Sequence, residues 1–145
     1  MLNVPILCTR NLRPYHNLYK HYCAIMLFGT IWCESRHKKL SFPEIKFSGT
    51  LRPTQQEVLS VVQQQLSTDQ REFYVVAPPG SGKTVTGLYL WAHVFKCPAL
   101  VLSPNSAIQS QWLARTDLFK EGDSHVNPSL LSSNPKSPSL LTSLT

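Results

Sequence analysis

The sequence has few cysteines, and no pattern in them indicates a metal site or a disulfide scaffold. Four cysteines occur among 145 residues, with no C-x-x-C pair and no histidine at the spacing of a zinc finger. A small secreted domain held together by disulfides would contain a denser set. We therefore expect Cys8, Cys23, Cys33 and Cys97 to be reduced, mostly buried thiols in a cytoplasmic protein.

A hydrophobic run long enough to cross a membrane is also lacking. The most apolar stretch, CAIMLFGTIWC at residues 23–33, has eleven residues, whereas a spanning helix needs roughly 20. It is typical of a buried strand or helix segment, and no membrane partner is expected. Basic residues upstream leave a signal peptide as a weaker alternative, because no clear small-residue cleavage site follows.

Acidic residues are scarce, with 8 Asp and Glu against 14 Lys and Arg and a net charge of +6. The surplus is concentrated in residues 1–50, which carry seven basic and two acidic side chains. A basic balance is compatible with a nucleic-acid partner, because phosphate contacts need Lys and Arg. Many solvated surfaces share it, so charge alone does not assign that partner.

From Leu51 onwards the chain alternates helix and strand patterns. LRPTQQEVLSVVQQQL predicts an amphipathic helix that begins near its proline, and Phe73–Val76 predicts a strand buried on both faces. A helix from Lys83 to Phe95, a buried strand at Ala99–Ser103 and a further helix follow; Ser106 and Gln109 have the spacing of a capping box. This order predicts an α/β domain with a parallel sheet and flanking helices.

The two ends of the chain differ from this middle part. Residues 1–41 show no clear period and stay unassigned, while residues 42–122 form the predicted domain. Residues 123–145 are rich in Ser and Pro and nearly uncharged. Such a composition offers few large apolar side chains to offset the entropy of ordering, so we expect a disordered C-terminal tail.

The segment APPGSGKT, residues 77–84, has the pattern of a phosphate-binding loop at every defined position but the first, where Ala77 replaces Gly. Gly80, Ser81 and Gly82 would turn the backbone so that its N–H groups approach phosphates at a helix N-terminus. Lys83 would add a point charge and the Thr84 hydroxyl would bind Mg²⁺. A flexible turn that merely precedes Lys-Thr is less consistent with the strand before it and the helix after it.

Three motifs in one order resemble the first RecA-like domain of superfamily 2 helicases and translocases, including the helicase subunits of type III restriction enzymes. LRPTQQE resembles the Gln motif upstream, APPGSGKT resembles helicase motif I, in which Ala is common at the first position, and VLSPNSAIQSQW resembles motif Ia. The resemblance covers about residues 47–122. It implies a partial RecA-like P-loop NTPase domain that uses ATP and Mg²⁺.

The resemblance also implies roles for residues outside the loop. Gln55 would hydrogen-bond the adenine edge with Arg52 near the nucleotide, and Ser103 and Asn105 would contact the backbone of a nucleic-acid strand, with DNA favoured over RNA. Each has a simpler interpretation from the sequence. Gln55 would be one more polar residue on a solvated face, and Ser103, Asn105 and Trp112 would supply helix capping and a core aromatic.

The chain has no adjacent pair of carboxylates. Relatives of this kind hydrolyse ATP with such a pair on a later strand and with arginines of a second RecA-like domain, so we expect no useful turnover from these 145 residues. No site for a metal held by protein alone is expected. The alternatives are another P-loop NTPase, such as a small-molecule kinase, and a non-enzymatic product of a helicase gene whose frame is lost or truncated near Gly122.

Overall fold

The structure is a computed structural model that describes residues 42–70 and 72–121 throughout, together with the backbone of five strands outside those ranges. The elements are, in chain order, β1 (Ala24–Leu27), β2 (Thr30–Cys33), β3 (Ile45–Phe47), α1 (Pro53–Ser67), β4 (Glu72–Tyr74), α2 (Lys83–Tyr89, continued by a π-helical turn at Leu90–Phe95), β5 (Ala99–Leu102), α3 (Ser106–Arg115, followed by a 3₁₀ turn at Thr116–Leu118), β6 (Phe119–Glu121), β7 (Ser124–His125), β8 (Leu131–Ser132) and β9 (Leu141–Leu144).

The larger sheet is mixed, with the described strands in the order β4-β2-β1-β5-β9-β8. β1 pairs antiparallel with β2 and β2 pairs antiparallel with β4, whereas β5 pairs parallel with β1 and β9. The prediction of a parallel sheet is therefore wrong for this part of the sheet. β4 and β5 still run in the same direction, but β1 and β2, from the unassigned N-terminal segment, lie between them. β1 and β2 can pair with each other because antiparallel strands need only a short connection.

β4 is shorter and more exposed than the sequence predicts. It ends at Tyr74, only Phe73 at its centre is buried, and Val76 is 78% exposed. Among the described strands its neighbour is β2. Its uninterrupted apolar residues suggested burial on both faces, but Glu72 and Tyr74, which share the face opposite Phe73, are exposed.

The predicted helices are present, with two local differences. The helix that begins at Lys83 changes to π-helical geometry at Leu90, where Trp91 is completely buried and its indole N–H donates to the carbonyl of Cys97 at 3.0 Å. α3 is capped by Asn105, whose side-chain oxygen accepts from Ile108 N–H at 3.0 Å. The N-cap is therefore Asn105, one residue before Ser106, where the capping box was predicted to begin, and Ile108 at the third helical position cannot complete such a box.

The core lies between the helices, β5 and the small sheet formed by β3, β6 and β7. All four residues of β5 are buried, as predicted. Trp112 of α3 packs against the buried cluster, which agrees with the interpretation of this residue as a core aromatic. The largest side chains with almost no exposure are those of Trp91, Phe119, Leu88, Leu90, Leu100 and Val101.

The C-terminal segment differs from what the sequence predicts. Residues 123–145 were expected to lack order, but β7, β8 and β9 lie in that segment, and β9 pairs with β5 along four residues. That pairing satisfies backbone groups that β5 would otherwise leave at a sheet edge. The tail's other residues, like most of residues 1–41, lie outside the described part of the chain.

Cys97 is disulfide-bonded in the structure, which corrects the expectation of a reduced thiol at this position. The other cysteines of the sequence lie at least 64 positions earlier (97 − 33 = 64), so spacing within the sequence could not indicate a pairing. Reduced thiols therefore no longer support the expectation of a cytoplasmic protein. In the described residues, no helix is long and apolar enough to cross a membrane.

Candidate functional site

The loop Ala77–Thr84 connects β4 to α2 and turns twice through left-handed backbone conformations. Gly80 has φ 77° and Gly82 has φ 83°, a region that side chains with a Cβ atom rarely adopt. Ser81 N–H donates to the carbonyl of Pro78 at 3.3 Å and closes the turn. The two glycines of the sequence motif thus occupy the positions where the backbone requires them.

Gln55 joins the start of α1 to this loop. Its Oε1 accepts from Arg52 N–H at 2.9 Å, and its Nε2 donates to the carbonyl of Gly82 at 3.2 Å. The side chain is 6% exposed, so the interpretation of Gln55 as a polar residue on a solvated face is wrong, although it fits its neighbour Gln56. One amide N–H and one lone pair of Gln55 are left for another partner.

Arg52 also reaches the loop, because its Nη1 donates to the carbonyl of Gly80 at 3.1 Å. Arg52 and Gln55 therefore fix two consecutive bends of the loop from the same helix start. A Cβ atom built on Gly82 would lie 2.5 Å from Gln55 Nε2, whereas one on Gly80 would meet nothing within 4 Å. An alanine at position 82 would have to displace the Gln55 amide, so glycine there leaves room for the hydrogen bond from α1.

Lys83 begins α2 and extends back across the loop. Its Nζ donates to the carbonyls of Ala77 at 2.6 Å and Pro78 at 2.9 Å, and the side chain is exposed. The ammonium group therefore lies at the mouth of the loop. The first N–H groups of α2 have no partner four residues earlier, so they add partial positive charge at the same end.

The loop also carries two hydroxyl groups, on Ser81 and Thr84, which are close in sequence to these N–H groups. Thr84, in the first turn of α2, is half-buried. Ser81 Oγ is buried and has no hydrogen-bond partner. A buried hydroxyl without a partner is unusual in proteins and is explained when a ligand supplies the missing bond. The loop therefore combines backbone donors, one cation and the unpaired hydroxyl of Ser81, which is a set of groups suited to an oxyanion ligand.

The residues predicted to contact a nucleic-acid strand lie at the end of β5, and they differ in exposure and in hydrogen bonding. Ser103 is 6% exposed and its Oγ has no partner. Asn105 is exposed, but its side-chain oxygen caps α3. The geometry of Asn105 matches the capping interpretation. In the described residues, no group of three or more His, Cys, Asp and Glu side chains could hold a metal ion.

Sequence reasoning missed a second concave region, on the side of α2 that faces β3. It is lined by Tyr89 at the end of the α-helical part, by His93 in the π-helical turn and by Lys96 directly after that turn, where the backbone has a left-handed φ of 48°. Desolvation by burial, followed by the charge of Lys96, lowers the pKa of His93 from 6.5. The sequence could not bring these residues together, because its pattern indicates neither the π-helical turn nor the position of β3 beside it.

Comparison with known proteins gives one match. The family described as type III restriction enzyme, res subunit, matches residues 48–140, which include α1, the phosphate loop, α2, β5 and α3. No curated protein and no solved structure matches the chain. The matched range contains every residue of the candidate site.

Proposed function

Because the chain belongs to the family of type III restriction enzyme res subunits, a helicase-like family with a superfamily 2 N-terminal domain, we propose that the loop Ala77–Thr84 binds the phosphates of ATP. The observation that carries this proposal is the convergence of α1 on the loop. Arg52 and Gln55 hydrogen-bond the carbonyls of Gly80 and Gly82, so the start of α1 and the start of α2 form one site.

The backbone of the loop is suited to phosphate oxygens. The N–H groups of Gly80 and Gly82 would face a phosphate at the start of α2, where the partial positive charge favours an anion, whereas Ser81 N–H is bonded to the carbonyl of Pro78. Lys83 would exchange the carbonyls of Ala77 and Pro78 for the more negative phosphate oxygens, since an ammonium binds an anion more strongly than a neutral carbonyl. Such an exchange would need only a rotation of the lysine side chain.

Mg²⁺ and the adenine base have candidate partners on either side of the phosphates. The Thr84 hydroxyl would hold Mg²⁺, which neutralises phosphate charge when bound. Gln55 would use its remaining amide N–H and lone pair on the adenine edge, with Arg52 beside it. Gln55 and Arg52 are already held by hydrogen bonds within the protein, so their side chains would need little further ordering when ATP binds.

Nucleic acid is the proposed partner of the domain, with DNA favoured over RNA. The support is the family and the basic balance of the chain, with net charge +6. Asn105 is the exposed candidate at the end of β5, and Ser103, which is buried, would contact a strand only if this loop opened. The chain has no adjacent carboxylates to hold Mg²⁺ and polarise water, so binding is proposed without rapid hydrolysis.

The test is titration calorimetry with Mg-ATP on the full chain and on Lys83→Ala. Loss of the ammonium should weaken binding roughly 10- to 100-fold, because a hydrogen bond to a charged group is worth about 1.5–3 kcal/mol. Lys120→Ala serves as the matched control, since it removes a lysine from β6 and leaves the loop unchanged. Equal affinity of the wild type and Lys83→Ala would remove the proposed site.

A further inference from the structure

A cleft separate from the phosphate loop runs between β3 and the second half of the α2 helix. Its volume is about 890 Å³, within the range of ligand pockets, and it is open to solvent. Its lining includes Phe47, Tyr89, His93, Lys46 and Lys96. None of the described residues that line it belongs to the loop Ala77–Thr84.

Aromatic rings form one wall of this cleft. The rings of Tyr89 and His93 lie with centroids 4.3 Å apart and planes 36° from parallel, and the ring of Phe47 meets Tyr89 edge-on at 5.6 Å. Phe47 is in turn packed against Phe119 in the core, so the wall has a rigid support. Such a surface offers a face on which a flat aromatic ligand can stack.

The rim of the cleft is basic. Lys46 and Lys96 are exposed and lie on different elements, and Glu44 is the one acidic residue among the described lining residues. The residue directly opposite Lys46 in the neighbouring strand is Lys120, so the sheet gives Lys46 no opposite charge. Two cations beside an aromatic wall therefore suit a ligand that joins a flat ring to an anionic group.

His93 adds an observation that is independent of the charges. Its Nε2 is buried and has no hydrogen-bond partner, although the ring borders the cleft. Most buried polar atoms in proteins are paired, and an unpaired one needs an explanation. A ribose or phosphate oxygen of a bound nucleotide, placed in the plane of the His93 ring, would supply the missing bond, whereas the base would lie on the ring face.

From this arrangement we propose that the cleft binds one nucleotide of a single-stranded nucleic acid, with its base on Tyr89 and His93 and its phosphate between Lys46 and Lys96. A strand fits better than a free nucleotide, because the cleft is open and its two lysines are exposed on separate elements. Basic grooves with aromatic stacking surfaces bind single strands in this way. The inference rests on the proposed function for its partner, but it uses no residue assigned to ATP.

The experiment measures the fluorescence anisotropy of a labelled single-stranded oligonucleotide with the full chain. Tyr89→Leu should weaken binding about tenfold by removing the stacking surface, and Tyr89→Phe, which keeps the ring, should bind as the wild type does. An oligonucleotide with abasic positions should lose the difference between Tyr89→Leu and the wild type. Circular dichroism melts of both variants establish that they are folded under the binding conditions.

The phosphate contacts are tested separately, by the salt dependence of oligonucleotide binding. The double variant Lys46→Gln, Lys96→Gln should reduce the slope of log affinity against log salt by about 0.7, since both lysines contact the same phosphate and one phosphate contact to a single strand contributes roughly 0.7. Lys120→Gln, which removes a lysine opposite Lys46 but outside the cleft lining, should change the slope much less. Equal slopes for Lys120→Gln and the double variant would show diffuse attraction and overturn the proposal.

Lys83→Ala separates this proposal from the proposed function. Loss of ATP binding with unchanged oligonucleotide binding would support two distinct sites. If ATP displaces the oligonucleotide from the wild type and Tyr89→Leu weakens ATP binding, the cleft holds the base of the same nucleotide whose phosphates lie on the loop, and the proposal is wrong. Absence of oligonucleotide binding by the wild type would also overturn it and would leave the ATP measurement unaffected.

Discussion

The phosphate loop and the loop at Ser103–Asn105 both follow a strand and precede a helix, but they are held in different ways. The phosphate loop has two left-handed glycines and receives hydrogen bonds from Arg52 and Gln55 of another element. The second loop relies on a local cap from Asn105 and on the burial of Ser103. One backbone is thus fixed by the tertiary structure and the other mainly by its own helix.

This difference bears on what each loop can bind. Groups already held in place lose little conformational entropy when a ligand arrives, which favours binding at the phosphate loop. At the second loop the candidate side chains have structural roles that a strand would have to replace. The comparison therefore favours a strong ATP site and a weaker strand contact at Asn105, and substitutions in each loop can test it.

The largest effect is expected for Gly82→Ala. A left-handed conformation costs an alanine roughly 1–2 kcal/mol, and its Cβ would lie 2.5 Å from Gln55 Nε2, which would break the hydrogen bond between α1 and the loop. We expect a fall of about 2–3 kcal/mol in the free energy of unfolding and a loss of ATP binding. Urea denaturation and titration calorimetry measure the two effects.

Gly80→Ala is the matched control, since Gly80 has a similar φ of 77° but open space around its Cβ position. It should cost only the conformational part, roughly 1–2 kcal/mol. The difference between the two variants then isolates the contact with Gln55. Equal losses of stability in Gly80→Ala and Gly82→Ala would show that the link from α1 does not support the loop.

A smaller effect is expected for Asn105→Ala, which removes the cap of α3. Loss of a side-chain cap typically costs about 1 kcal/mol, whereas Ser106→Ala, one residue into the helix, should cost close to zero. Thermal melts of the two variants compare them directly. The reverse order would restore Ser106 as the cap, as its sequence spacing from Gln109 suggested.

The sequence predicted most of what depends on local pattern. The glycines of the phosphate loop, the start of α2 at Lys83 and the burial of β5 follow from motif spacing and apolar runs. The cap of α3 was misplaced by one residue because Asn105 and Ser106 are both good capping residues and only the backbone geometry separates them.

Features that depend on distant parts of the chain could not be predicted. Whether β4 is buried on both faces depends on which elements pack above and below it, and even its neighbour β2 comes from a segment without a clear period. The disulfide at Cys97 and the pairing of β9 with β5 likewise join residues far apart in sequence. The role of Gln55 in the loop was missed because the sequence shows a polar residue, not the carbonyl that it faces.

The smallest expected effect concerns pH and the wall of the cleft, a third region that is held mainly by ring packing. Burial and Lys96 lower the pKa of His93 below 6.5, so the unfolded chain binds a proton at a pH where the folded chain does not. Stability should therefore be lost as pH falls through 6.5 towards the folded pKa. Lys96 is the charged group that acts on this proton, and Lys46 and Glu44 are the other charged residues that line the same cleft.

Melting temperatures of the wild type and His93→Gln between about pH 7.5 and pH 5.5 measure this effect. His93→Gln should lose the part of the pH dependence that comes from the imidazole, a shift of no more than about 2 °C because the ring is only partly buried. Carboxylates contribute equally to both proteins, so the difference between the two curves is the relevant quantity. Parallel curves across this range would mean that the ring binds its proton as readily in the folded chain as in the unfolded one. Burial in the cleft wall would then have no effect on the protonation of His93.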